Sequence, residues 1–168
     1  IIIYFKIYYY NMEFKKLNCL AFNHHFNNMI IQKPSKLIEK NIKLFYSKQP
    51  PTMAIKKFIN YLMSFELIEE ENIHISQIYC IGLLKKLFYQ GFNININNCH
   101  RVILIMLMLT TKIIHDECHY NKIWADVCGL SVKDVNSMEI SILKILKYDL
   151  FISQEQLIHI NKSFITKL

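Results

Sequence analysis

The hydrophobic positions of this chain recur at helical spacing, and one stretch is apolar almost all round. Val102 to Leu109 is apolar without a break, and no charged residue lies between Arg101 and Lys112. The run is shorter than the ~20 predominantly apolar residues that a bilayer requires. It also lacks the polar face of an ordinary surface helix. The pattern therefore predicts a helix at the centre of a bundle, with its neighbours packed around it.

Three amphipathic patterns precede this central helix. A preliminary helix follows Pro34, and the prolines of SKQPPT end it because proline cannot continue a helix. Further helices are predicted from Met53 to about Phe65 and from about Ile75 to Tyr89. Gly82 lies inside the latter, where glycine costs ~1 kcal/mol relative to alanine. Its presence indicates the close approach of another helix.

Two more helices are predicted after the central one. A short helix around Trp124 should end near Gly129, since glycine suits the left-handed conformation at a helix C-terminus. The last long helix should begin at Ser131, a good N-cap. Asp134 lies in its first turn, where the helix dipole favours a negative charge.

The composition agrees with an all-α class. The 168 residues include only three glycines and three prolines, which disfavours sandwiches and barrels with their many tight turns. The order of elements predicts a poorly ordered or mispredicted leader, an N-terminal helix, one compact five-helix unit and a C-terminal tail. Their boundaries are residues 1–33, 34–49, 50–152 and 153–168.

Charge and cysteine usage restrict the environment and the partners. The net charge is +7, but the lysines are spread along the whole chain and Arg101 is the single arginine, so we expect no direct nucleic-acid binding. Five cysteines without a CxxC pair are typical of a reducing compartment. We therefore expect an intracellular protein, in the nucleus or the cytoplasm, with no membrane association.

Sequence motifs for catalysis and cofactor binding are absent. The chain has no GxGxxG or Walker loop, and nothing places a serine, a histidine and an acid together. His115, Cys118, His119 and Cys128 have side chains that bind zinc, but their spacing matches no usual finger pattern. We expect no metal, no cofactor and no catalytic residue.

Two opposite charges lie close to predicted core positions. Lys112 follows the apolar run, and Glu139 lies on or beside the apolar stripe of the last helix. A charged group in such a place must reach water or meet a partner of opposite charge. Two interpretations remain open: a structural salt bridge, or a pair that faces out through a gap in the bundle and binds the backbone of a partner.

Three short motifs accompany this pair along the chain: N-x-H-R at the start of the central helix, N-x-x-[YF]-A-x-V-x-G through the short helix, and N-x-x-E in the last helix. Together they make the region from Pro51 to Phe151 resemble a cyclin box, most similar to the single-box P/U-type cyclins such as the phosphate-pathway cyclins of fungi. The matching residues are Asn98, His100, Arg101, Lys112, Asp116, Asn121, Trp124, Ala125, Val127, Gly129, Asn136 and Glu139. Tyr61 departs from the pattern, because these cyclins usually carry arginine there.

The resemblance implies a noncatalytic regulatory subunit that binds and activates a cyclin-dependent serine/threonine kinase by positioning its C-helix. Lys112 and Glu139 would be the kinase-binding pair. Phe45 and Tyr46, on the preliminary helix, would be further kinase contacts, although packing in the core is an equal alternative. Two other functions stay open: a nucleic-acid-bound transcription factor of the general initiation type with a cyclin-like fold, and a degenerate cyclin fold that serves as a scaffold.

Overall fold

A computed structural model describes residues 43–47, 51–65, 67–69 and 72–165 of the chain. The predicted leader, residues 1–33, lies outside these residues. So does the predicted N-terminal helix, residues 34–49, apart from the short segment 43–47.

The described residues form helices joined by short connections and contain no strand, which confirms the all-α class. The central helix and the two helices after it lie where the sequence predicts them. The helices are α1 (Ile55–Met63), α2 (Ile73–Tyr89), α3 (Cys99–Ile114), α4 (Asn121–Cys128), α5 (Val132–Ile145) and α6 (Gln154–Ile165).

Helix α3 is the centre of the fold, as its apolar sequence predicts. It packs against α1, α2, α4 and α5, and every residue from 102 to 111 is buried. Two threonines interrupt the apolar surface near its C-terminus. Their hydroxyl groups donate to main-chain carbonyls one turn earlier, Thr110 to Met106 and Thr111 to Met108, each at 2.8 Å. Because these bonds satisfy the hydroxyls locally, the helix can remain fully enclosed.

The predicted boundary between the last two box helices is confirmed. Gly129 ends α4 with φ of +63°, in the left-handed region where glycine carries no steric penalty. Ser131 caps α5, and its hydroxyl accepts a hydrogen bond from the amide of Asp134 at 3.0 Å. This tight reversal places α5 beside α4 and against the C-terminal half of α3.

The N-x-H-R motif fastens the N-terminal segment to the start of α3. The Arg101 guanidinium donates a hydrogen bond to the carbonyl of Leu44 at 2.6 Å. His100 Nε2 lies 2.6 Å from the carbonyl oxygen of Met53. Both side chains thus contact main-chain groups, which makes the attachment independent of the side chains at positions 44 and 53.

Gly82 is approached closely, but by a single side chain rather than by the helix that the sequence predicted. Ile152, which contacts it, lies in the connection between α5 and α6. The same connection is tied to α2 by two further bonds. The Tyr79 hydroxyl donates to the carbonyl of Leu150 at 2.9 Å, and Lys86 pairs with Asp149 at 2.7 Å.

Residues 153–168, assigned to a tail from the sequence, contain helix α6. It packs along α2, with Ile160 buried. His74 Nε2 and Asn161 Oδ1 lie 3.2 Å apart across this contact. The helix therefore extends the bundle along α2.

Candidate functional site

Lys112 and Glu139 meet at the rim of the bundle, where α3 ends beside the middle of α5. Lys112 Nζ lies 2.5 Å from Glu139 Oε1. The two side chains are 28% and 15% exposed, so the pair is neither buried in the core nor free in solvent. The structure thus confirms that the two charges share one rim.

A third helix contributes to this pair through Asn121, the first residue of α4. Its Oδ1 accepts a hydrogen bond from Lys112 Nζ at 2.6 Å, while its Nδ2 donates to Glu139 Oε2 at 2.6 Å. The same Nδ2 donates to Asn136 Oδ1 at 2.7 Å. We call these four residues the charge cluster. The sequence marked Asn121 and Asn136 only as motif positions and gave no reason to place them against the pair.

The charge cluster keeps hydrogen-bonding capacity for a partner. An ammonium group has three N–H donors, and Lys112 uses two of them within the cluster. A carboxylate has about four acceptor sites, and Glu139 accepts two hydrogen bonds there. The site can therefore offer a donor and an acceptor side by side, the arrangement that a main-chain carbonyl and amide would match.

Exposed apolar side chains flank the charge cluster along the chain. Ile113 follows Lys112, and Ile140 follows Glu139, and both are exposed. Tyr120, which precedes Asn121, is exposed as well. Aromatic side chains such as Tyr120 are enriched in protein–protein interfaces.

Phe45 and Tyr46, the other two predicted kinase contacts, differ sharply in exposure. Phe45 is fully buried and packs edge-on against Phe92, with ring centroids 5.6 Å apart. A side chain without accessible surface cannot touch a partner, so Phe45 takes the core position that the sequence left as its alternative. Tyr46 is partly exposed, and its hydroxyl accepts a hydrogen bond from Asn95 Nδ2 at 2.8 Å.

Tyr46 lies at the opposite end of α3 from the charge cluster. Its segment is held by Arg101, about three helical turns before Lys112, which corresponds to roughly 16 Å along the helix axis. The structure therefore brings Lys112 and Glu139 together but does not bring Tyr46 to them.

The side chains of His115, Cys118, His119 and Cys128, which could bind zinc by residue type, do not form a metal site. Among the described residues no three histidine, cysteine or acidic side chains lie close enough together to hold a metal ion. Burial raises the pKa of the Cys128 thiol to about 12, which disfavours the thiolate that zinc binds. Burial also lowers the pKa of His115.

A cleft of about 630 Å³ lies between α1, the start of α3 and the α4–α5 connection. Phe58 and Leu104 contribute apolar surface to it, and Tyr61 lines it. The Tyr61 hydroxyl donates to the carbonyl of Val127 at 2.9 Å. At the position where P/U-type cyclins usually carry arginine, this tyrosine thus joins α1 to α4 through a hydrogen bond.

The comparison with protein families agrees with the resemblance that the sequence motifs carry. The family model described as Cyclin matches residues 19–150. This chain belongs to the cyclin family. Cyclins are regulatory subunits and not enzymes, which agrees with the noncatalytic role that the motifs predicted. The sequence pattern places the start of the cyclin box at residue 50, whereas the family model matches from residue 19. The start of the box at residue 50 therefore stays a prediction.

Similar cyclins occur in plants and yeast. Cyclin-U1-1 of Arabidopsis thaliana is 25% identical over 126 residues, covering 75% of this chain and 59% of the plant protein. PHO85 cyclin-2 of Saccharomyces cerevisiae is 27% identical over 110 residues, which cover 64% of this chain and 35% of the yeast protein. PHO85 cyclin PHO80 of the same yeast is 29% identical over 104 residues, 62% of this chain and 35% of that protein. These relatives confirm the predicted P/U type.

The matched region spans about half the length of the Arabidopsis relatives. Within the described part of the chain, no helix is both long and apolar enough to cross a membrane.

Proposed function

We propose that this cyclin binds and activates a cyclin-dependent kinase through Lys112 and Glu139. The observation that carries the proposal is the 2.5 Å pair at the rim of the bundle, with hydrogen-bonding capacity left on both charges. The yeast relatives support a kinase partner, since they are named as cyclins of PHO85, a cyclin-dependent kinase. Such a partner would also place the chain inside the cell, in agreement with the expectation from its five cysteines without a CxxC pair.

Main-chain recognition is the chemistry that best fits the charge cluster. A fixed ammonium can donate to a kinase carbonyl while the neighbouring carboxylate accepts from a kinase amide. Because both contacts are to the backbone, they can hold a mobile segment without requiring particular side chains there. The exposed side chains of Ile113 and Ile140 would supply the apolar contacts around these polar bonds.

Activation then follows as a population shift. A kinase is active when its C-helix brings a glutamate to the lysine that contacts the ATP phosphates. A cyclin that binds this arrangement more tightly than the inactive one raises its share of the population. The cyclin takes no part in phosphoryl transfer, and its contribution is the difference in its affinity for the two kinase states.

The energetics of the pair do not by themselves require a structural role. Taking two charges partly out of water costs hydration free energy, which the attraction between them repays only when the geometry is good. The Asn121 amide is bonded to both charges and holds them in one arrangement, which presentation of the charges to a partner would require.

The test is capture of a kinase by the intact protein and by the variants Lys112→Glu and Glu139→Lys, followed by a phosphorylation assay on the captured complex. We expect both variants to lose the kinase while circular dichroism shows an unchanged helical fold. Lys57→Glu is a matched control, because it makes the same charge change on an exposed position of α1. Equal kinase capture by all four proteins would contradict the proposal.

The same preparation tests the nucleic-acid alternative. A transcription factor that binds nucleic acid through its basic side chains would be retained on DNA, with an affinity that falls steeply as salt increases. We expect no such retention. DNA binding without a captured kinase would favour that alternative.

Tyr46 remains a predicted kinase contact at the other end of α3. If it belongs to the interface, Tyr46→Ala should weaken kinase capture, whereas Tyr89→Ala, which removes an exposed tyrosine from the end of α2, should not. Equal binding by both variants would restrict the interface to the charge cluster and its apolar border.

A further inference from the structure

We propose that Asn121 is a positioning residue for kinase recognition, which fixes the orientation of Lys112 and Glu139 before the partner binds. The inference rests on the proposed function and extends it to α4, a helix that contributes neither of the two charges. The relevant geometry is the contact of one side-chain amide with both members of the ion pair.

The chemistry of the neighbours allows only one orientation of this amide. Its oxygen lies 2.6 Å from the Lys112 ammonium, and its nitrogen lies 2.6 Å from a Glu139 carboxylate oxygen. A rotation by 180° would place two donors face to face at the lysine and two acceptors face to face at the glutamate. The second N–H is directed to Asn136 Oδ1, so both amide hydrogens are used.

The attachment of α4 makes Asn121 a fixed reference point. Trp124 and Ala125, one turn further along the helix, are fully buried. Helix α4 packs on both α3 and α5, the helices that carry the two charges. The amide is therefore held by a helix that cannot follow the movements of the lysine and glutamate side chains.

The consequence concerns binding more than folding. Without Asn121 the two charges can still pair, but each long side chain regains alternative rotamers. A partner would then have to order them on binding, at a cost in affinity. Truncation of the amide should thus weaken kinase binding by about tenfold, in the range expected for loss of hydrogen bonds to charged groups.

The test is a double-mutant cycle on kinase affinity, measured with the purified kinase from the capture experiment. The variants are Asn121→Ala, Glu139→Gln and the combination, with Lys122→Ala on the exposed side of the same helix as control. We expect Asn121→Ala to weaken binding about tenfold, and to have a much smaller effect when Glu139 is already replaced. Asn121→Asp should weaken binding more than Ala does, because it places a carboxylate against Glu139.

A measurement on the cyclin alone separates this proposal from the kinase interface. In spectra of ¹⁵N-labelled protein, the ammonium protons of Lys112 should be protected from exchange in the wild type and in Lys122→Ala but not in Asn121→Ala. Loss of this signal together with weaker kinase binding supports the proposal. Wild-type affinity of Asn121→Ala, with binding still abolished by Lys112→Glu, overturns the positioning role and leaves the kinase interface standing. Unchanged binding in every variant overturns both.

Discussion

The Cβ atom that Gly82 lacks would lie 3.1 Å from both Cδ1 and Cγ1 of Ile152 and 3.2 Å from its Cγ2. Three carbons of one branched side chain thus fill the space beside the glycine. Since Gly82 lies inside α2, a Cβ atom at this position would require the Ile152 side chain to shift by a few tenths of an ångström.

Gly82→Ala should therefore destabilise the fold even though alanine favours helix. The gain in helix propensity is about 1 kcal/mol, whereas overpacking costs about 1–3 kcal/mol. In the background of Ile152→Ala, where the obstructing carbons are gone, the same substitution should stabilise by about 1 kcal/mol. Urea unfolding of the four proteins measures both values, and an equal effect of Gly82→Ala in both backgrounds would show that Ile152 does not limit the space.

A buried histidine predicts loss of stability in mild acid. The His115 side chain is 3% exposed, its Nδ1 lies 3.5 Å from Glu69 Oε2, and within the described residues its buried Nε2 has no hydrogen-bond partner. Burial lowers its pKa below 6.5, Glu69 acts in the opposite direction, and the nearby His119 lowers the pKa further. Below pH 6.5 the unfolded chain therefore binds a proton more readily than the folded chain, and stability falls.

The contribution of His115 is measurable through a variant that cannot titrate. We expect the free energy of unfolding of His115→Phe to depend less on pH between 7 and 5, by at most about 1.4 kcal/mol per pH unit. His74 and His100 also have a lowered pKa, so part of the wild-type dependence should remain. An identical slope in both proteins would show that His115 titrates normally in the folded state.

Two consecutive residues after α5 have left-handed backbone angles, Lys147 with φ of 54° and Tyr148 with φ of 59°. The left-handed conformation costs roughly 1–2 kcal/mol per residue that is not glycine. Lys147→Gly should thus stabilise the fold by about 1 kcal/mol. The matched control Lys144→Gly, in the last turn of α5, should destabilise by about 1 kcal/mol. Thermal unfolding distinguishes the two signs, and destabilisation by both would contradict the strained turn.

The sequence predicted those parts of the fold that depend on local pattern. The burial of α3 follows from its unbroken apolar run, and the cap at Ser131 and the stop at Gly129 follow from residue types with one conformational preference. Helix α6 was missed although its apolar residues recur at helical spacing, Leu157, Ile160 and Phe164 among them. The sequence analysis assigned this stretch to a tail because it follows the five predicted box helices.

The candidate site was predicted only in part, because some of its contacts depend on how distant helices pack together. Lys112 and Glu139 attract notice because charges are unusual beside apolar positions. Asn121 is an ordinary residue for the start of a helix, and its role depends on where two other helices place their charges. The burial of Phe45 likewise depends on Phe92, which is far away in sequence and near only in the fold.

The most direct test of the account is the charge swap Lys112→Glu combined with Glu139→Lys. The swap restores an ion pair between the same two positions, and the Asn121 amide can turn over to bond both charges again. A structural salt bridge would therefore recover with the swap, but a partner's main chain would meet a carboxylate where it needs a donor and an ammonium where it needs an acceptor. We predict that the double variant regains most of the stability lost in either single variant and still binds the kinase at least about tenfold more weakly than the wild type. Recovery of kinase affinity together with stability would contradict the account.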